Sequence, residues 1–200
     1  MNETGDIVSN LPAIMLLSFW WAFLTTLDLI FRPGGFGQAE NAGTPADAAK
    51  PSADPRLREL LALDPGFDAE SFLRGARRAY EQIVLAYAAQ DAGILRPLVS
   101  EEVLEAFLGA GAARRERGET MELTFVGIDS AAIETVEVAA EAARISVLFH
   151  AEVVAATRSS TGETVEGDPS AVTLVADLWT FARPPADGDA PWTLVATDRG

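Results

Sequence analysis

His150 and Asp177 are the side chains whose types best suit acid–base chemistry. His150 is the single histidine of the chain, and Asp177 lies in a later apolar segment. A general base must sit inside a pocket beside its substrate. Alternation places His150 opposite an apolar set that includes Phe149, and Asp177 opposite Leu178, so we expect both polar side chains to point away from the core. The pattern therefore predicts no enzyme, with a cavity enzyme that uses His150 and Asp177 as the alternative.

The composition argues against several other classes of site. The chain has no cysteine and one histidine, and the acidic pair Glu101 and Glu102 lies at a helix start, where it complements the helix dipole. We expect no metal and no cofactor, because no Gly-rich phosphate loop is present either. The net charge is −15, and from Asp64 onward 23 acidic residues outnumber 11 basic ones, a net of −12. Such a surface excludes nucleic acid as a partner.

Arg114, Arg115 and Arg117 form the densest basic cluster of this acidic chain. They are candidates for a local contact with phosphate head groups or with an acidic partner segment. The alternative is that they complement the negative end of a helix. Both interpretations stay open from the sequence.

Three regions must position these residues. The first is residues 1–31, where the apolar run from Leu11 to Phe31 is about 30 Å long as a helix, enough for one bilayer span. The second, residues 32–63, is rich in Pro, Gly and Ala and predicts a flexible linker. Residues 64–200 form the predicted domain. Arg32 is the basic residue next to the span, which favours a cytoplasmic C-terminal domain.

Helical periodicity comes first in this domain. Asp68 is a predicted N-cap of a helix that ends near Gln90, and Ser100 caps a second helix that ends near Gly118. From Thr120 the apolar period changes to two, which predicts strands at 121–128, 133–138, 145–153, 172–178 and 192–197. This order predicts an α+β fold with two or three helices packed on a curved antiparallel sheet.

The closing sequences DLWTFAR and PWTLVAT, together with RGARRAYEQIVLAYAAQD and LRPLVSEEVLEAF, resemble the Tim44-like domain family. This family is named for subunit 44 of the mitochondrial inner-membrane translocase and belongs to the nuclear transport factor 2-like superfamily. The resemblance implies a cone-like fold and a membrane-tethered adaptor in the bacterial inner membrane. It also implies protein partners such as a chaperone, a translocase or a membrane-protein complex. Related cone folds include dehydratases and isomerases, which is the source of the enzyme alternative.

A cone-like sheet capped by helices leaves a concavity that could hold an acyl chain or a partner's side chains. Binding of lipid or of a small hydrophobic ligand is therefore a further alternative. The candidate lining residues are aromatic: Phe72, Tyr80, Tyr87, Phe107 and Phe149. Trp179 and Trp192 are interpreted as packing residues of the closing hairpin.

A homodimer is a third hypothesis, because open sheets of this kind pair through the face away from the helices. Val175, Trp179 and Phe181 are the apolar residues predicted on that face. Such a dimer would cluster a membrane complex.

Overall fold

The computed structural model describes residues 55–185, 187 and 190–199. The predicted membrane anchor and residues 32–54 of the predicted linker lie outside these residues. None of the helices in the described part of the chain is long and apolar enough to cross a membrane.

Between Pro55 and the sheet the structure describes four helices: α1 (Pro55–Leu63), α2 (Ala69–Ala89), α3 (Ala92–Leu95) and α4 (Glu101–Glu116). Helix α1 corrects the predicted linker, which was expected to continue to residue 63. Leu57 and Leu60 from α1 are buried in the hydrophobic core. Their spacing of three residues matches a helical face, but a nine-residue helix offers too few periods to stand out in a Pro- and Ala-rich sequence. The folded domain therefore begins before Asp64.

Helix α2 has the ends that the sequence predicts. The Asp68 carboxylate accepts a hydrogen bond of 2.7 Å from the Ser71 backbone N–H, and Gln90 adopts the left-handed conformation at the C-cap, with φ of 57°. Its apolar residues recur at three- and four-residue spacing, and Phe72, Ala76, Tyr80, Ile83 and Tyr87 are all buried.

Helix α4 also follows its sequence signals. Ser100 caps it through a bond of 3.3 Å from the Val103 backbone N–H, and Glu101 and Glu102 lie in its first turn. Val103, Leu104 and Phe107 are buried. Its last turn carries two arginines at the negative end of the helix dipole.

The sheet has five antiparallel strands: β1 (Thr120–Val138), β2 (Ala143–Arg158), β3 (Thr164–Gly167), β4 (Thr173–Arg183) and β5 (Thr193–Arg199). The strand order in the sheet is β1-β2-β4-β5, and β3 pairs with the C-terminal end of β2. The two strands predicted at 121–128 and 133–138 are one strand, β1, with three register shifts that hide its period of two. Strand β3 lies where the sequence predicted only a loop.

Strand β4 has the opposite orientation to the one predicted. Val175, Trp179 and Phe181 are buried against the helices, whereas Leu174 is 63% exposed on the other face. Together, the side chains of Trp179 and Phe181 remove more apolar area from water than those of Leu174, Ala176 and Leu178, which were expected to face inward. The predicted dimer interface of Val175, Trp179 and Phe181 is therefore wrong.

Strand β2 keeps the predicted orientation, with Ile145, Val147, Phe149, Ala151 and Val153 buried. The register places Phe149 beside Asp177 and Val147 beside Trp179, so the inward rows of β2 and β4 align. The helices cover this one face, and the predicted α+β fold with a curved antiparallel sheet is confirmed.

The burial of α1 can be tested with two leucines of the same helix. Leu60 is fully buried and Leu63 is 55% exposed. We expect Leu60→Ala to lower the free energy of unfolding by about 2–5 kcal/mol, because it leaves a cavity in the core. Leu63→Ala should change it by less than about 0.5 kcal/mol. The measurement is urea unfolding followed by circular dichroism, and equal small effects would show that α1 does not belong to the domain.

Candidate functional site

An open cavity of about 640 Å³ lies between the first half of α2 and the hairpin of β4 and β5. We call it the α2 groove. Helix α2 lines it with a row of residues at helical spacing. The hairpin lines it with Phe181 and Arg183 from β4 and with Trp192 just before β5. Its lining includes Phe67, Phe72, Gly75, Arg78, Gln82, Arg183 and Trp192.

Three aromatic rings form the apolar wall of the α2 groove. The ring centroids of Phe72 and Trp192 are 5.0 Å apart, those of Phe67 and Phe72 are 5.8 Å apart, and those of Phe67 and Trp192 are 6.1 Å apart. Phe181 lies behind them, 6.0 Å from Phe72 and edge-on to it. Tilted and edge-to-face contacts of this kind are favourable between aromatic side chains. The wall is a preformed apolar surface.

Small residues on α2 keep the groove open. Gly75 and Ala79 occupy successive turns of its lining face. A Cβ atom added at Gly75 would have no atom within 4 Å, so the space in front of it is empty. Larger side chains at these two positions would fill the groove.

A buried ion pair closes one end of the groove. The Arg183 guanidinium donates a hydrogen bond to the Asp64 carboxylate, and its carbon Cζ lies 4.6 Å from the centroid of the Trp192 ring. The Arg183 side chain is 5% exposed. A charge so deeply buried needs its partner, so this pair ties the turn between α1 and α2 to the closing hairpin.

A second buried polar pair lies deeper in the core. The Tyr80 hydroxyl donates a hydrogen bond of 2.6 Å to the Asp177 carboxylate. Burial, followed by the negative charge of Asp177, raises the pKa of Tyr80 far above its usual range, so this tyrosine stays protonated and acts as a donor. Asp177 was expected to point away from the cavity, and the orientation of β4 corrects this prediction.

Residues 54–199 match the profile of the Tim44-like domain. The chain belongs to the Tim44-like domain family. Among solved structures, it is similar to the intermembrane space region of the chloroplast protein ARC6, with a TM-score of 0.45 and 14% identity over 66% of this chain and 96% of that chain. No curated protein matches the sequence significantly.

The five predicted pocket residues of the Tim44-like domain do not form one pocket. Phe72 lines the α2 groove, whereas the Tyr80 and Phe149 rings contact each other at 4.7 Å in the core. Tyr87 and Phe107 line a second cavity of about 20 Å³, which has room for no more than one water molecule. The predicted concavity is thus largely filled by the residues expected to line it.

The three arginines of the predicted basic cluster have different surroundings in the structure. Arg114 Nη1 donates a hydrogen bond of 2.6 Å to the Tyr87 hydroxyl, and its guanidinium stacks 4.7 Å above the Tyr87 ring centroid. Arg117 pairs with Glu119 at 2.7 Å. Arg115 is exposed and has no ion pair with any described residue. Arg114 therefore helps to hold α4 on α2, and a contact with an anionic partner remains a prediction for Arg115.

His150 and Asp177 lie on opposite faces of the sheet. The His150 Nδ1 atom is 3.0 Å from the Ser130 hydroxyl on the outer face, as predicted, while Asp177 contacts Tyr80 beneath the helices. The structure does not bring together the two residues of the enzyme alternative.

Sequence reasoning did not identify Phe67 or Arg183 as site residues, and it interpreted Trp192 as a packing residue. A signal for Arg183 was present, because it continues the inward row of Trp179 and Phe181 at a spacing of two. The prediction chose the opposite row, so this signal was lost.

The Tyr80–Asp177 pair can be tested by removing one oxygen atom. We expect Tyr80→Phe to lower the free energy of unfolding by about 1–3 kcal/mol, because it deprives a buried carboxylate of a donor. Adding Asp177→Asn to Tyr80→Phe should recover part of the loss, since the uncharged amide is less costly to bury. Guanidinium unfolding of the four variants of this cycle measures the effect. A loss below about 0.5 kcal/mol for Tyr80→Phe would show that the bond is not needed.

Proposed function

We propose that this chain is a membrane-tethered adaptor whose Tim44-like domain binds a segment of a partner protein in the α2 groove. The observation that carries the proposal is the open, aromatic-walled cavity of about 640 Å³. An exposed apolar concavity with a few polar groups at its edge is the common form of a binding site in a protein.

The shape of the α2 groove suits a peptide. Its lining residues on α2 run from Asp68 to Gln82, which is about 21 Å at 1.5 Å per residue. An extended chain of about six residues has this length. The aromatic wall would take one or two large apolar side chains of such a segment, in the manner of the anchor residues that dominate protein interfaces.

The tether would raise the local concentration of the domain near the membrane. Our proposal includes the predicted span from Leu11 to Phe31, with the domain on the cytoplasmic side of a bacterial inner membrane. If residues 32–54 form the flexible linker that the sequence predicts, their root-mean-square reach is about 24–29 Å. A domain held at this distance meets membrane-bound partners at high effective concentration. A chaperone, a translocase or a membrane-protein complex under assembly is the class of partner we propose.

The proposal is for binding and not for catalysis. Its support is that the two carboxylates of the α2 groove are engaged in structural roles: Asp68 caps α2, and Asp64 pairs with Arg183.

The partner can be captured by photo-crosslinking in cells. We expect a photoreactive amino acid at Gln82, on the groove edge, to give adducts with a protein. The same probe at the exposed neighbour Glu81, which does not line the groove, should give about tenfold fewer adducts, because its side chain points about 100° away around the helix. Mass spectrometry of the adducts identifies the partner. Adducts with lipid alone, with a second copy alone, or with nothing would overturn the proposal.

A filled groove provides a second test. Gly75→Phe places a ring in empty space, and we expect it to abolish the adducts at Gln82. The exchange should not weaken the fold, because Phe is a better helix former than Gly. Gly109→Phe is the matched control, since a Cβ at Gly109 on α4 also meets no atom within 4 Å and Gly109 does not line the groove. Undiminished adducts in Gly75→Phe would show that the partner binds elsewhere.

A further inference from the structure

Arg78 is a cation without a partner on the edge of the α2 groove. Its side chain is exposed, and it forms no ion pair with any residue in the described part of the chain. From Asp64 onward acidic residues outnumber basic ones by 23 to 11, so Arg78 is a local positive charge on an acidic domain. The neighbouring Arg74 lies 3.8 Å from Glu70 and 3.9 Å from Asp68. An uncompensated positive charge on a strongly acidic domain attracts an anionic group.

The two carboxylates of the groove lie at its other end and are already engaged. Asp64 pairs with Arg183. Asp68 accepts the N-cap bond from Ser71, and hydrogen bonds from Ser71 lower the pKa of Asp68, so it stays ionised in this role. Ten residues separate Asp68 from Arg78, about 15 Å along α2. The groove therefore has a compensated acidic end, an aromatic wall and an uncompensated basic end.

We infer that the segment bound in the α2 groove carries an Asp or Glu that pairs with Arg78, two to four residues from a large apolar residue that contacts Phe72 and Trp192. The spacing follows from the position of Arg78 six residues after Phe72, about 9 Å along the helix, and from the rise of about 3.3 Å per residue of an extended chain. This inference rests on the proposed function and narrows it to one class of partner segment.

In this inference, Arg78 makes the groove prefer segments that carry an acidic residue over segments that do not. An exposed ion pair adds about 0.2–1 kcal/mol, so its loss should weaken binding by about 1.4- to 5-fold and mainly slow the association. Reversing the charge replaces attraction by repulsion and should weaken binding of an acidic segment further. The effect should shrink as salt is added, because the pair is exposed.

Peptide selection tests this inference directly. The full chain in detergent micelles is offered a random dodecapeptide library displayed on phage. We expect the wild type to enrich peptides with a large apolar residue and an Asp or Glu two to four positions away. Arg78→Glu should enrich Lys or Arg at that position in place of the acid. Arg77→Glu is the matched control, because it makes the same charge change on the adjacent residue, which does not line the groove. It should leave the acidic preference in place.

The outcomes separate the inference from the function on which it rests. If Gly75→Phe abolishes enrichment while wild type and Arg78→Glu select the same charges, the groove binds peptides and the role of Arg78 is overturned. If Gly75→Phe enriches the same peptides as the wild type, or if the wild type enriches none, the proposed function fails as well. Binding to phosphatidylglycerol vesicles that Gly75→Phe removes, without any peptide enrichment, would assign the groove to lipid and overturn both.

Discussion

The orientation of β4 is the constraint on which the rest of the domain depends. Either of its two faces could have been buried, since each carries apolar side chains. Burying Trp179 and Phe181 removes about 150–250 Å² per ring from water, more than two leucines and an alanine offer. The same orientation places Asp177 and Arg183 beneath the helices, because side chains alternate strictly along a strand. Two polar groups therefore enter the core as a consequence of burying two aromatic ones.

Each of these buried groups is compensated by a residue that comes before the sheet in sequence. Tyr80 on α2 donates to Asp177, and Asp64 in the turn after α1 pairs with Arg183. Since a buried charge without a partner costs several kcal/mol, these contacts fix how the helices lie on the sheet. The polar pairs thus specify the placement of α2, while the aromatic side chains supply most of the favourable free energy.

The α2 groove follows from the same arrangement. The Arg183–Asp64 pair holds Trp192 and Phe67 against Phe72, and this builds one rigid wall. The opposite side stays open because α2 presents Gly75 and Ala79 there, whose side chains are too small to reach across. Farther along α2, where Tyr80 and Tyr87 point inward, the space is filled. The same helix therefore fills the interior at one end and leaves an open groove at the other.

Much of this domain was determined by the sequence alone. Local signals specified both ends of α2 and the start of α4, because an N-cap such as Asp68 acts within one turn. The burial of the β2 row from Ile145 to Val153 was also determined, since its other row contains His150 and Glu152. The resemblance of the closing hairpin identified the family. Helix α1 and strand β3 were missed because each is too short to show a period, and the register shifts divided β1 in the prediction.

The residues of the candidate site come together only through tertiary packing. Both rows of β4 are apolar enough to be buried, so the choice depended on how well each packs against α2 and β2, which no local pattern contains. The orientation of β4 turns Asp177 inward. It also brings Arg183 to Asp64, 119 positions away in sequence, and so forms the end of the groove. The predicted pocket failed for the same reason: aromatic residues on facing elements fill a cavity or line it according to the distance between those elements. Only the packed structure sets that distance.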